Sequence, residues 1–102
     1  DEFALAFHDI NPLAPVHVLV VPKGEYVSNV DFAASAPDAM VVGFWRAVGA
    51  TARQLGLDPL GYRIVANHGP NGGQIVFHFH VHIFGGRQMS HRMGNMPRPN
   101  ES

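Results

Sequence analysis

Gln74-Ile75-Val76-Phe77-His78-Phe79-His80-Val81-His82-Ile83-Phe84 is the stretch whose reading decides the fold. Histidine recurs at every second position from 78 to 82 with apolar residues between, and such alternation predicts a β-strand. Successive side chains of a strand point to opposite faces. His78, His80 and His82 are therefore expected on one face, neighbours roughly 6.7 Å apart along the chain. Ile75, Phe77, Phe79, Val81 and Ile83 are expected on the other face, against a core. A row of histidines makes a poor solvated surface, because imidazole changes charge near neutral pH. The row reads as a site.

Directly before it, His68-Gly69-Pro70-Asn71-Gly72-Gly73-Gln74 is a loop rich in turn formers. Its glycines let backbone amides approach a ligand and converge on an anion. Tyr62 to Asn67, β-branched in its middle, predicts a strand, and Gly85-Gly86 ends the histidine strand. Further back, Ser35-Ala36-Pro37-Asp38 carries helix-start signals: a proline near the first position and an acid in the first turn. Val41, Phe44, Trp45, Val48, Ala52 and Leu55 follow at helical spacing, so this stripe is expected to pack on a sheet, with Gly56 ending the helix. Trp45 reads as core or as a subunit contact. Between Tyr26 and Ala36 no period stands out.

Glu2 to Phe7 and Val16 to Val21 read as two more strands, the second closed by Pro22. On the second, Val16, Val18 and Val20 share one side, and His17, Leu19 and Val21 the other. His17 is then either a satisfied core residue or a fourth member of the histidine group. His8, His68 and His91 read as surface or turn residues.

At 102 residues the chain is one domain with a single modest core. A 46% hydrophobic and 15% charged composition is globular and excludes a disordered tail protein. The net charge of −1 offers no electrostatic case for nucleic-acid or membrane-surface binding. No apolar run approaches the ~20 residues of a membrane span. The chain has no cysteine, which excludes disulfides, thiolate nucleophiles and cysteine-bound metals and fits a cytoplasmic setting.

Two chemistries compete for aligned histidines. Neutral imidazoles are common metal ligands, and three can hold a catalytic zinc. Such ligands are normally braced by carboxylates or carbonyls, and the acids of this chain lie away from the histidine strand in sequence. Alternatively, one imidazole attacks phosphorus while its neighbours orient it and handle protons. Amides of the glycine loop would then stabilise the oxygens of the transferring group. The second scheme uses both the histidine row and the loop.

His78-Phe79-His80-Val81-His82-Ile83-Phe84 resembles the His-x-His-x-His-x-x motif of the histidine triad (HIT) family of nucleotide hydrolases and transferases. Phe7-His8-Asp9-Ile10-Asn11-Pro12, Ala14-Pro15-Val16-His17 and Pro22-Lys23 resemble its Hint-like branch, which hydrolyses purine nucleoside phosphoramidates. So do Gly61-Tyr62-Arg63, Asn67, Gly72-Gly73-Gln74 and Gly85-Gly86-Arg87-Gln88-Met89. The likeness covers residues 1–89 as one domain and leaves 90–102 as a C-terminal tail.

The resemblance implies an α+β, HIT-like fold: an antiparallel sheet of about four to five strands with one main helix, continued across a homodimer. It implies a purine nucleotide substrate, an AMP or GMP conjugate, with no cofactor and no metal. His80 would attack the α-phosphorus and carry a nucleotidyl intermediate, and His82 would contact phosphate oxygens. His78 would pair with His17, which would relay a proton toward the departing amine. Asp9, with Ile10 beside it, would bind the ribose. Asn67, Gly73 and Gln74 would line the phosphate and leaving-group side, where Ile75 stands in place of the hydroxyl residue common in this branch. The family also carries a helix and a strand ahead of the position of Asp1, and these supply part of its base pocket.

Overall fold

The computed structural model describes residues 1–90, so the expected tail, beyond Ser90 itself, and His91 lie outside the described residues. Two runs of β-branched residues make the centre of the molecule. In chain order the elements are β1 (Ala4–His8), β2 (Val16–Pro22), α1 (Asn29–Ser35), α2 (Asp38–Gln54), β3 (Arg63–Val65), α3 (Gly69–Gly72) and β4 (Val81–Gly85). The four strands form one sheet in the order β1-β2-β4-β3, antiparallel at every pairing. The α+β expectation therefore stands, with four strands and one long helix.

Pairing of β2 with β4 sets Val18 opposite Ile83 and Val20 opposite Val81. The period of two then gathers these side chains on one face, and none is more than 3% exposed. α2 covers that face with Phe44, Ala47, Val48 and Ala52, spaced so that one helical stripe is buried. Phe32 of α1 joins them. Its ring lies 4.8 Å from Phe79 and 5.2 Å from Phe44, which makes an aromatic centre to the core. Val41 and Leu55 are half-buried at the edges of the stripe. Trp45 is not core: it is 41% exposed and meets Phe44 edge-on at 5.4 Å.

Two local features explain how the helix sits. Asp38 in the first turn and Arg53 in the last complement the helix dipole, and Gly56 takes a φ of +76° just beyond the C-cap Leu55. Gly43 lets the ring of Phe3 lie directly on α2, since a Cβ there would stand 2.3–2.7 Å from three ring atoms. That contact ties the start of β1 to the helix.

The structure corrects several sequence expectations. Residues 74–80 are irregular, and only Val81–Gly85 is strand. The ladder between β2 and β4 ends at Val20–Val81 and β2 itself stops at Pro22, which has no N–H, so residues 74–78 have no strand to pair with. Instead His78 Nε2 lies 3.3 Å from the Pro22 carbonyl, and the Phe79 amide donates to the Tyr26 carbonyl. Phe79, Val81 and Ile83 enter the core as expected, but Ile75 and Phe77 are 47% and 68% exposed. β3 is shorter than Tyr62–Asn67, and the loop after it holds one helical turn, α3. α1 went unread because its signal is local. The Ser28 hydroxyl caps the Asp31 amide at 3.4 Å while the Asp31 carboxylate accepts the Val27 amide at 2.8 Å, and a helix of 7 residues shows little period.

Candidate active site

The face of the sheet turned away from α2 carries His17 and Leu19 on β2 and His82 and Phe84 on β4. His17 lies opposite Phe84, and Leu19 opposite His82. The His17 ring rests on Phe84 at 4.3 Å between centroids, and His82 stacks on Phe84 at 5.5 Å with ring planes 5° apart. Both imidazoles are buried, at 2% and 1% exposed. His17 is therefore a member of the histidine group, and it reaches His82: its Nε2 lies 2.9 Å from His82 Nδ1. The expected pairing of His17 with His78 is not formed. Because residues 78–80 leave the strand, His78 turns to the Pro22 carbonyl instead.

His80 is 6% exposed, and its ring stands edge-on to His82 at 4.9 Å. His80 Nδ1 lies 2.8 Å from the carbonyl oxygen of His78. A carbonyl only accepts, so Nδ1 carries the proton and Nε2 keeps its lone pair. This is the arrangement a nucleophilic imidazole needs.

Asp9 sits just past β1. Its Oδ1 accepts the Asn11 amide at 2.8 Å, and its Oδ2 lies 3.6 Å from His17 Nε2. Burial lowers the pKa of His17 and Asp9 opposes that shift; burial lowers His82 further, to about 3, with His80 and His17 adding repulsion. Both rings are neutral at neutral pH.

Gln74 organises the loop. Its side-chain oxygen accepts the Gly69 amide at 3.0 Å, and its amide nitrogen donates to the carbonyls of Val27 and Val76 at 2.8 and 3.1 Å. Gly73, with φ +78°, makes the left-handed turn that brings Gln74 into place. Asn67 is half-buried at the end of β3, while Ile10 and Ile75 face solvent, 92% and 47% exposed. A cleft of about 580 Å³ between Leu57–Arg63 and Gly86–Met89 includes none of the histidines, so chemistry rather than cavity size locates the site.

Residues 1–89 match the HIT domain. The chain belongs to the HIT domain family. An uncharacterized 13.2 kDa HIT-like protein of Azospirillum brasilense is 53% identical over 88 residues, which span 86% of this chain and 72% of that protein. A 14 kDa zinc-binding protein of Zea mays is 45% identical over 91 residues, spanning 88% of this chain and 70% of its own. Among solved structures, a HIT family hydrolase from Legionella pneumophila superposes with a TM-score of 0.81 at 37% identity, over 89% of this chain and 80% of that one.

In this HIT domain the ligand atoms of Asp9, His17 and His82 lie within 4.8 Å of one another, which is compact enough to hold a cation. Their hydrogen bonds do not suit one. The Leu13 amide donates to His17 Nδ1 at 3.2 Å, so neutral His17 carries its proton on Nε2, the atom that faces both Asp9 and His82. A metal would have to displace that proton and break the bond to His82. As bonded, these residues do not fit a resident metal.

Sequence reasoning missed three participants: the Leu13 amide, the His78 carbonyl and the Phe84 ring beneath the imidazoles. The two backbone groups have no residue-type signature. Phe84 did carry one, since it shares the alternating face of His82.

Proposed function

We propose that this chain hydrolyses purine nucleoside 5′-phosphoramidates, of adenosine or guanosine, to the nucleoside monophosphate and an amine. The carrying observation is His80, whose Nδ1 is committed to the His78 carbonyl at 2.8 Å and whose Nε2 lone pair is therefore available. Nε2 attacks the α-phosphorus, the P–N bond breaks, and the amine leaves with a proton taken from solvent. Water then attacks the nucleotidyl-histidine and gives up a proton to solvent, the P–Nε2 bond breaks, and His80 returns to its starting state. The partly buried setting strengthens polar contacts to the phosphate.

Other positions take the roles that the family likeness supports. His82 contacts phosphate oxygens. Asp9, with Ile10, binds the ribose through a carboxylate that the Asn11 amide orients. Asn67 and the Gly73–Gln74 backbone border the phosphate and leaving group, with Ile75 beside them. The purine and phosphoramidate preferences rest on the Gly85-to-Met89 sequence, and the similar L. pneumophila HIT family hydrolase supports hydrolysis in general. In the same reading two chains join along β3, an edge strand with Ile64 46% exposed, into one continuous sheet. Light scattering that gives a monomer at micromolar concentration would refute that assembly.

The test of hydrolysis is turnover of an adenosine 5′-phosphoramidate carrying a reporter amine, with EDTA present, by the wild type and His80→Ala. Turnover that survives chelation and collapses in the variant is expected. A wild type that binds AMP without turnover would make the protein a nucleotide-binding module. The zinc-binding name of the Z. mays relative supplies the other alternative, and turnover lost on chelation would favour it.

A further inference from the structure

Two guanidiniums line the cleft between Leu57–Arg63 and Gly86–Met89, and the chemistry of the histidines uses neither. The cleft holds about 580 Å³, a volume that suits a small organic molecule. Leu57, Leu60, Tyr62 and Met89 give it apolar walls, with Leu60 99% exposed. Arg63 and Arg87 give it charge, and no carboxylate lines it among the described residues. Asp58, the acid next to Leu57 in sequence, is engaged by Arg53 at 3.4 Å.

Arg63 is held in a way that leaves one donor over. β3 sets it opposite Phe84, which itself lies opposite His17, so the three share one row and one face of the sheet. Arg63 Nη2 donates to the Ser90 carbonyl, which fixes the guanidinium against the chain that follows β4. Nη1 is buried and has no acceptor among the described residues. A buried N–H without an acceptor is costly, and arginine keeps its charge in proteins, so losing a proton cannot relieve it. Arg87, from the other lining segment, is exposed, and its Nη1 reaches only the neighbouring Gln88 carbonyl, at 3.3 Å.

We propose that this cleft is a ligand site separate from the histidine cluster, taking a small organic oxyanion. Its carboxylate or phosphate meets Arg63 Nη1, and its apolar body lies against Leu57, Leu60 and Tyr62. With Nη2 tied to backbone, the planar guanidinium offers Nη1 in one fixed direction, which suits an oxyanion better than a point charge would. Arg87 adds a second positive charge, screened by solvent. An uncharged ring would fill the apolar walls but leave Arg63 Nη1 with a weaker acceptor or none. The site uses no imidazole, so it stands independently of the hydrolysis proposed above.

The test titrates benzoate, phenyl phosphate and benzamide into the ¹⁵N-labelled full chain, read by amide and arginine N–H correlation spectra. Benzoate, phenyl phosphate or both should shift Tyr62, Arg63 and Gly86–Met89 saturably, and benzamide should not. Which of the two binds tells a carboxylate site from a phosphate site. Arg63→Lys should weaken binding roughly tenfold, because an ammonium lacks the planar fork. Arg87→Gln should weaken it roughly twofold to fivefold with an unchanged melting curve, since that side chain is exposed. Binding should persist in His80→Ala, whatever becomes of turnover. Shifts confined to the histidines, no shifts at all, or equal binding of benzamide would each overturn the proposal. So would unaltered affinity in a folded Arg63→Lys protein, and, should that variant not fold, unaltered affinity in Arg87→Gln.

Discussion

Replacing Gln74 tests the loop that presents His80. The side chain is 6% exposed and makes three hydrogen bonds, to Gly69 N–H and to the carbonyls of Val27 and Val76. Gln74→Leu keeps most of the volume but leaves all three backbone groups without that partner. At about 0.5–1.5 kcal/mol per bond, the expected loss is about 2–4 kcal/mol. For a domain of this size each kcal/mol moves the melting temperature by roughly 4–8 °C, so a drop of about 10–25 °C is expected by circular dichroism. kcat/KM in the proposed hydrolysis should fall as well, because the chain from 74 to 80 has lost the anchor that replaces a strand ladder. Gln74→Glu should be at least as damaging at pH 8, where a carboxylate would face two carbonyl oxygens. A fall of less than about 3 °C for Gln74→Leu would show that the loop is held elsewhere and would refute the reasoning.

Three further outcomes follow from the packing and charge of the site. The folded pKa of His82 is depressed to about 3 from 6.5, chiefly by burial, so the unfolded chain takes up its proton first as pH falls. The stability associated with neutral burial is complete above pH 6.5 and is lost on acidification toward pH 3, at up to about 1.4 kcal/mol per pH unit. Urea titrations across that range should show the slope, and His82→Asn should reduce it; equal slopes would contradict the assignment. Phe79→Ala should cost about 3–5 kcal/mol, since the ring is 1% exposed between Phe32 and Phe44, and denaturant midpoints will measure it. Gly43→Ala should destabilise by about 1–2 kcal/mol through collision with the Phe3 ring, against a helix-propensity gain of about 1 kcal/mol. In a double-mutant cycle with Phe3→Ala the penalty should vanish, and its persistence would place the clash elsewhere.

Legibility differed between elements for identifiable reasons. β2 and α2 were readable because each buries one regular face, so their periods of two and 3.6 are written in Val18 and Val20 and in Phe44, Val48 and Ala52. Residues 74–80 carry the same alternation as a strand but do not form one. A strand needs a neighbour to bond with, and whether β2 extends far enough is not a property of the histidine segment. Of the two readings of Trp45 the core one fails for a related reason: helical spacing places a residue on or near a stripe, but the width of the buried stripe depends on what the sheet covers. The candidate site residues could be named from the spacing of His78, His80 and His82, and His17 drew attention as a polar residue in an apolar strand. Their pairing could not, because which imidazole meets which depends on where the strand stops.

By itself the sequence determined the elements whose signal is local or periodic: the central strands, the long helix, the site face and the candidate nucleophile His80. Tertiary structure alone decided that His17 joins His82 rather than His78, and that Gln74 replaces a ladder with side-chain bonds. It also decided that the Leu13 amide and the His78 carbonyl assign the imidazole protons. Backbone N–H and C=O groups are the same at every non-proline residue. Their chemical effect comes only from the side chain that folding brings within hydrogen-bond distance.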